Sequence, residues 1–188
     1  MTGPGGFRRL GGERVWQGVV IGLDVDRFAA PDGTEFIREV VRHPGAVSVV
    51  PVLADGRGVL MVRQYRAALD RDLLEIPAGK RDVAGEAPEI TAARELEEEV
   101  GMVAGRLERL GEFFNSAGFC DEHSIVYLAT ALTPCGTTAY GVEEEHMTIE
   151  VVALDEVPRL IAEGTLVDAK SIIGLLLARE RLAGAAAR

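Results

Sequence analysis

From Ala46 to Leu53 the chain is apolar at every position but Ser48 and Pro51. An apolar run of that length, with no polar alternation, predicts a buried strand. The turn sequence ADGRG follows, and VLMVRQYR is expected to return as its hairpin partner. Leu73 to Ile76 predicts a short strand leading into Pro77-Ala78-Gly79. Upstream, Val15 to Phe28 is rich in Val and Ile, AAPDGTE signals a turn, and EFIREVVRH reads as a second strand. These give an N-terminal β hairpin over residues 14–43. Such a hairpin is too small to bury much by itself and needs a neighbour. The Gly-rich residues 1–13 are expected to be a mobile N-terminus.

Downstream of the midpoint, LERLGEFFNSAGF holds a strand and then a loop, HSIVYLATAL alternates as a strand, and TIEVVAL forms a further one. AYGVEEEHM between them is a polar, acidic loop. Asp155 is placed to cap VPRLIAEG, and Asp168 to Leu182 predicts a closing amphipathic helix. A helical period also appears midway. From Pro88 to Val100 the apolar positions are Ala92, Ala93, Leu96 and Val100, with Pro88 in the first turn and Gly101 at a left-handed stop. Strands that dominate, one helix midway and one or two at the end predict an α/β fold, a mixed sheet with helices on both faces.

The chain has 188 residues, 47% of them hydrophobic, enough for one domain or one domain with a small appendage. Its net charge is −10 and no basic stripe is present, which disfavours nucleic-acid binding. An acidic protein acting on phosphates needs local cations, from metal ions or a few arginines. Cys120 and Cys135 form no CxxC pair and have no His partner at zinc spacing, so both read as reduced thiols. His43, His123 and His146 are isolated. The first residues lack the apolar core of a secretory signal, and SIIGLLLA is too short to span a bilayer. The expected location is cytoplasmic, with no membrane partner.

The midway helix carries the chemistry. Glu95, Glu98 and Glu99 share one face at helical pitch, while Glu97 points elsewhere. Like charges at that spacing oppose a helix by about 0.2–0.5 kcal/mol per pair. Arg94, four residues before Glu98, offsets part of this, and a divalent cation would offset far more. Clustered carboxylates suit Mg²⁺ or Mn²⁺. An ELEEE run on its own also fits a solvated acidic face.

The wider pattern decides between these. Gly79, Glu86, Arg94-Glu95-Leu96, Glu98-Glu99 and Gly101-Met102 resemble the signature of the Nudix hydrolases. Glu86 to Met102 matches without a gap. Between Gly79 and Glu86 there is one residue more than the pattern has, an insertion expected in the loop before the helix. The likeness extends through HPGAVSVVPVL, VRQYR, EIPAGK and EGTLVDAKSIIGLLL, which are similar to the ADP-ribose pyrophosphatase branch. It implies an α/β/α sandwich over residues 44–188, preceded by a β segment that joins an exchanged homodimer.

It implies site residues as well. Glu95 and Glu99 would be metal ligands, with Glu98 beside them as ligand or base and the carbonyl of Ala78 completing the site. Arg94 belongs to the same catalytic motif. Arg66 would contact the pyrophosphate. A glutamate of the GVEEEHM loop, Glu144 first, then Glu143, then Glu145, would act as base or place the attacking water. Members specific for ADP-ribose carry a proline before Gly-Phe, and here Ala117 precedes Gly118-Phe119, the loop that shapes the pocket beyond the phosphates. Trp16 and Phe36 are open to stacking on a base or to packing.

The implied reaction is Mg²⁺-dependent hydrolysis of a nucleoside diphosphate sugar, with ADP-ribose giving AMP and ribose 5-phosphate. The alternatives are GDP-mannose or UDP-glucose as substrate, or a Nudix-fold ligand sensor without turnover. Independently of the likeness, pyrophosphate hydrolysis calls for an activated water and neutralised phosphates. A metal and a carboxylate supply both, and no Ser-His-Asp arrangement is visible.

Overall fold

The computed structural model describes residues 4–136 and 146–186. The chain divides into two compact units, one of residues 1–45 with 114–123 and one of residues 46–113 with 124–188.

In the first unit three strands, β1 (Arg8–Gln17), β2 (Gly22–Ala29) and β3 (Glu35–Arg42), pair antiparallel in the order β1-β2-β3. This corrects the expectation of a mobile stretch over residues 1–13 and a two-stranded hairpin after it. Residues from Arg8 onward already pair, with Arg8 opposite Ala29. The pattern was obscured because β1 is exposed along most of its length and carries glycines. Gly12 is there for space: a Cβ on it would fall 2.0 Å from Asp26 Oδ1.

Asp26 is fully buried and receives Arg9 Nη2 at 2.6 Å and Arg42 Nη2 at 2.5 Å. Arg42 also donates to Asp24 at 2.9 Å and to Asp121 at 3.0 Å, and Arg14 donates to Asp24. A buried carboxylate is tolerated only with its charge matched in this way. The Arg14 hydrogen bond, then that of Arg42, pulls the Asp24 carboxyl down to about 2. Phe28 stacks on Phe36 at 5.5 Å, and Phe7 meets Phe36 edge-on at 6.2 Å. Phe36 is therefore a packing residue within this sheet. The Trp16 ring lies over Gly18, where a Cβ would be 2.2 Å away, and is 54% exposed.

The second unit holds β4 (Ala46–Pro51), β5 (Gly58–Arg66), β6 (Arg71–Glu75), β7 (Ala78–Lys80), β8 (Met102–Phe114), β9 (His123–Pro134) and β10 (Thr148–Ala153). Two of these, β8 and β9, carry an end residue in the first unit. Three helices accompany them: α1 (Pro88–Val100), α2 (Val157–Ala162) and α3 (Ala169–Ala186). Two sheets form, β10-β5-β6 and β7-β4-β9-β8, the second mixed because β4 runs parallel to β9 and antiparallel to β7.

The central strands are buried on both faces, as the unbroken apolar run of β4 requires. Val47 and Val49 of β4, Leu60 and Val62 of β5, and Ile125 and Tyr127 of β9 pack with Ala92, Leu96 and Val100 of α1. The alternate residues Val50, Met61, Val126 and Leu128 pack with Leu160 of α2 and Leu175 of α3. Helices thus cover opposite faces, which is the expected α/β/α sandwich.

The expected hairpin between β4 and β5 does not form as a ladder. The two strands share one isolated bridge, Val52 to Val59, and β5 pairs instead with β10 and β6. Val49 donates to Pro77 and Val52 to Ala129, so Pro51 falls on the Val49 side, where it has no N–H to offer. A 3-10 turn, Leu154–Glu156, contains Asp155, which makes no side-chain cap to α2. No described helix is long and apolar enough to cross a membrane, and Cys120 and Cys135 are free thiols.

Candidate active site

Helix α1 begins and ends where its sequence says. Pro88 occupies the first turn, and Gly101 adopts φ 65° and closes the helix through its N–H. Thr91 Oγ1 donates to Glu86 at 2.7 Å, tying the preceding loop to the first turn. The apolar positions Ala92, Leu96 and Val100 turn toward the sheet, and their geometry carries Glu95 and Glu99 inward with them, to 8% and 6% exposure. Glu97 faces solvent.

Both buried carboxylates converge on the short strand β7. Glu99 Oε2 accepts the Ala78 N–H at 3.0 Å. The Glu95 carboxyl lies against Gly79 so closely that a Cβ there would stand 1.9 Å from its Cδ. Strand β7 is itself held in place by β4, with Ser48 opposite Ala78 and Val47 opposite Gly79. Loop residues 81–87 separate β7 from α1.

Arg94 supplies the local positive charge. Its Nη1 reaches Glu95 Oε1 at 2.9 Å and Glu98 Oε2 at 3.0 Å, and Nη2 lies 3.6 Å from Glu86. Partial burial opposes its charge, but Glu95, Glu98 and Glu86 together more than offset that and raise its pKa. Arg94 thus relieves the repulsion along the acidic face and draws Glu98 toward itself.

Among the described residues no three His, Cys, Asp or Glu side chains form a ready metal cluster. The donor set nonetheless fits a hard divalent cation. Two carboxylates, nine-tenths buried, meet beside a backbone kept bare by Gly79, and the Ala78 carbonyl is a third oxygen donor on that strand.

Arg66, at the end of β5, lies close enough for Glu99 to contribute to its raised pKa, although Glu75 is the main cause. Its Nε and Nη2 form a two-pronged pair with Glu75 at 2.7 and 2.5 Å. Glu75 also receives Lys170, which reaches Asp168, the acceptor of the Ser171 hydroxyl; the sequence did not mark these four as a group. The signal was present: Glu75 is a lone charge between Leu73-Leu74 and Ile76, and Asp168 opens the last helix. Ala117, Gly118 and Phe119 belong to the first unit. They form a turn pinned to β3 through Val41, which donates to the Phe119 carbonyl at 2.8 Å, and Phe119 is 59% exposed. Glu143, Glu144 and Glu145 lie outside the described residues.

Comparison with known proteins places the chain in a family. The NUDIX domain family matches residues 42–173. The chain belongs to the Nudix family of hydrolases. Among curated relatives it is 40% identical to an ADP-ribose pyrophosphatase of Bacillus subtilis (strain 168) over 85% of each chain. It is 40% identical to an ADP-ribose pyrophosphatase of Mycobacterium tuberculosis, over 90% of this chain and 82% of the relative. It is 39% identical to a methanol dehydrogenase activator of Bacillus methanolicus over 87% of each. A crystal structure of an ADP compounds hydrolase superposes with a TM-score of 0.81 over 95% of both chains at 23% identity, a likeness of fold.

Proposed function

We propose that this protein hydrolyses the pyrophosphate bond of ADP-ribose to AMP and ribose 5-phosphate, using Mg²⁺ or Mn²⁺. The observation that carries the reading is the convergence of Glu95 and Glu99 on Ala78-Gly79 with Arg66 in the field of Glu99. Two relatives at 40% identity named ADP-ribose pyrophosphatase support the substrate.

Glu95, Glu99 and the Ala78 carbonyl hold the cation, with Glu98 at their edge as a further ligand or base. When bound, a divalent cation neutralises phosphate charge and lowers the pKa of water. Arg94 keeps the acidic face assembled. Arg66 binds phosphate oxygens through charge-assisted hydrogen bonds. A glutamate of the acidic loop, Glu144 before Glu143, takes the proton of the attacking water. Water adds across the P–O–P bridge, its oxygen to one phosphorus and a proton to the other phosphate.

The protein acts as a cytoplasmic homodimer, the N-terminal sheet crossing to the partner. Light scattering on the full chain and on a form beginning at Pro44 tests this; a folded, active, monomeric truncation refutes it. The activity test is release of the nucleoside monophosphate from a panel of ADP-ribose, ADP-glucose, GDP-mannose and UDP-glucose with Mg²⁺. ADP-ribose is expected to lead. A lead for GDP-mannose or UDP-glucose would move the substrate assignment, and no turnover of any would favour a sensing or activating role, for which the activator relative is the motive.

A further inference from the structure

Glu75 closes β6 with its carboxylate 1% exposed. Both oxygens receive Arg66, and Lys170 Nζ adds a further hydrogen bond to Oε2. Lys170 also reaches Asp168 Oδ2 at 3.0 Å. Asp168 Oδ2 caps α3, accepting the Ser171 N–H at 2.9 Å and the Ser171 hydroxyl at 2.5 Å. Ser171 Oγ in turn accepts the Ile76 N–H at 2.8 Å. Two residues further on, Ala78 gives its N–H to Glu99. One connected network therefore runs from the start of the last helix to Arg66 and to the backbone at the metal-binding carboxylates.

Two acids and two bases alternate in this network, so no charge is left unmatched. Buried ion pairs add little net stability compared with apolar packing of the same volume. Their clearest consequence here is geometric. A guanidinium has two hydrogen-bonding edges, Nε–Nη2 and Nη1–Nη2. Glu75 occupies the first. Nη1 has no hydrogen bond to a described residue, and the Arg66 side chain is 40% exposed.

Resting on the pyrophosphatase reading above, we propose that Glu75 and Lys170 are positioning residues for the hydrolysis. Glu75 locks one edge of Arg66 so that the other is presented to the pyrophosphate. Lys170, tethered through Asp168 and Ser171 to α3, fixes where Glu75 stands. Released from Glu75, the long Arg66 side chain would have to give up rotamer freedom each time substrate binds.

The test is a double-mutant cycle in the full-length protein, with kcat and KM for ADP-ribose measured in Mg²⁺ and the melting temperature followed in parallel. Glu75→Gln is expected to raise KM about tenfold or more, with kcat changed much less, because charge-assisted bonds to Arg66 are lost. Arg66→Ala is expected to raise KM similarly. Adding Glu75→Gln to Arg66→Ala should then change KM by no more than about twofold, since Glu75 acts through Arg66. Lys170→Met leaves the Arg66–Glu75 fork in place and should raise KM by a smaller factor, with Lys170→Arg restoring it. This second pair decides the question if Glu75→Gln fails to fold. Additive effects in the cycle, or KM unchanged in Glu75→Gln and Lys170→Met while the wild-type protein turns over, overturn the positioning role alone. Absence of wild-type turnover overturns it together with the reading on which it rests.

Discussion

Gly79→Ala separates the chemistry of the site from the stability of the fold. The added Cβ would lie 1.9 Å from Glu95 Cδ, 2.0 Å from Oε1 and 2.4 Å from Oε2. Carbon and oxygen do not approach that closely, so something must move. Gly79 does not have a positive φ, so alanine fits the backbone itself. The colliding atoms are the end of a flexible side chain, and Glu95 swings aside while the pairing of β7 with β4 remains. The stability lost includes the ion pair between the buried Glu95 and the partly exposed Arg94, about 1 kcal/mol. The activity lost should be much greater, because one of the two buried carboxylates leaves the proposed cation site. Losing that charge stabilisation should cost at least about 3 kcal/mol, roughly a hundredfold in kcat/KM. Steady-state hydrolysis of ADP-ribose, Mn²⁺ affinity by calorimetry and thermal unfolding without metal measure the three effects. A variant with near-normal turnover and Mn²⁺ affinity would refute the placement of Glu95 at the cation.

Further expectations concern the helix face, the first unit and the substrate. Glu98→Gln and Glu99→Gln should each lose about a hundredfold or more in turnover at saturating Mg²⁺ with the fold retained, since the amide oxygen at 99 can still accept the Ala78 N–H; near-normal rates in both would exclude these carboxylates. Asp24 titrates near 2 in the folded protein against 3.8 ordinarily, so its ionised form favours folding: the contribution is complete above about pH 5 and disappears as pH falls through 3.8 toward 2. The melting temperatures of wild type and Asp24→Asn should therefore differ at pH 6 and converge only as the pH falls below about 2; a gap that does not change with pH would exclude the Arg14–Asp24–Arg42 pairing as its cause. Ala117→Pro should stiffen its turn and sharpen the preference for ADP-ribose over ADP-glucose and GDP-mannose. A wild-type preference already above about a thousandfold, some 4 kcal/mol, would show that Ala117 does not loosen selection.

Much of this protein is written in local sequence. Pro88, the apolar positions Ala92, Leu96 and Val100, and Gly101 set both ends of α1 and its buried face. Helical pitch alone then places Glu95 and Glu99 on one side and Glu97 on the other. The unbroken apolar run of β4 required burial on two faces, and Asp168 marked the start of the last helix. These features depend on spacings of a few residues, which periodicity and capping read directly.

Strand partners do not work that way. The turn after Leu53 suggested that β5 returns along β4, whereas Pro51 interrupts that edge and β5 joins β10 and β6. The pairing of β1 with β2 was equally hidden, because an exposed Gly-containing strand shows no alternation of its own. The same limit applies to the site. Gly79 was legible as a motif position, but only packing shows that it is bare so that the Glu95 carboxyl can lie against it. Glu75 and Lys170 stand 95 positions apart, and no local pattern joins them. Their contact exists because the sheet and the last helix bring the end of β6 and the first turn of α3 to one place. Tertiary structure alone decides which distant charges meet, since a buried carboxylate is stable only where the fold delivers cations to it.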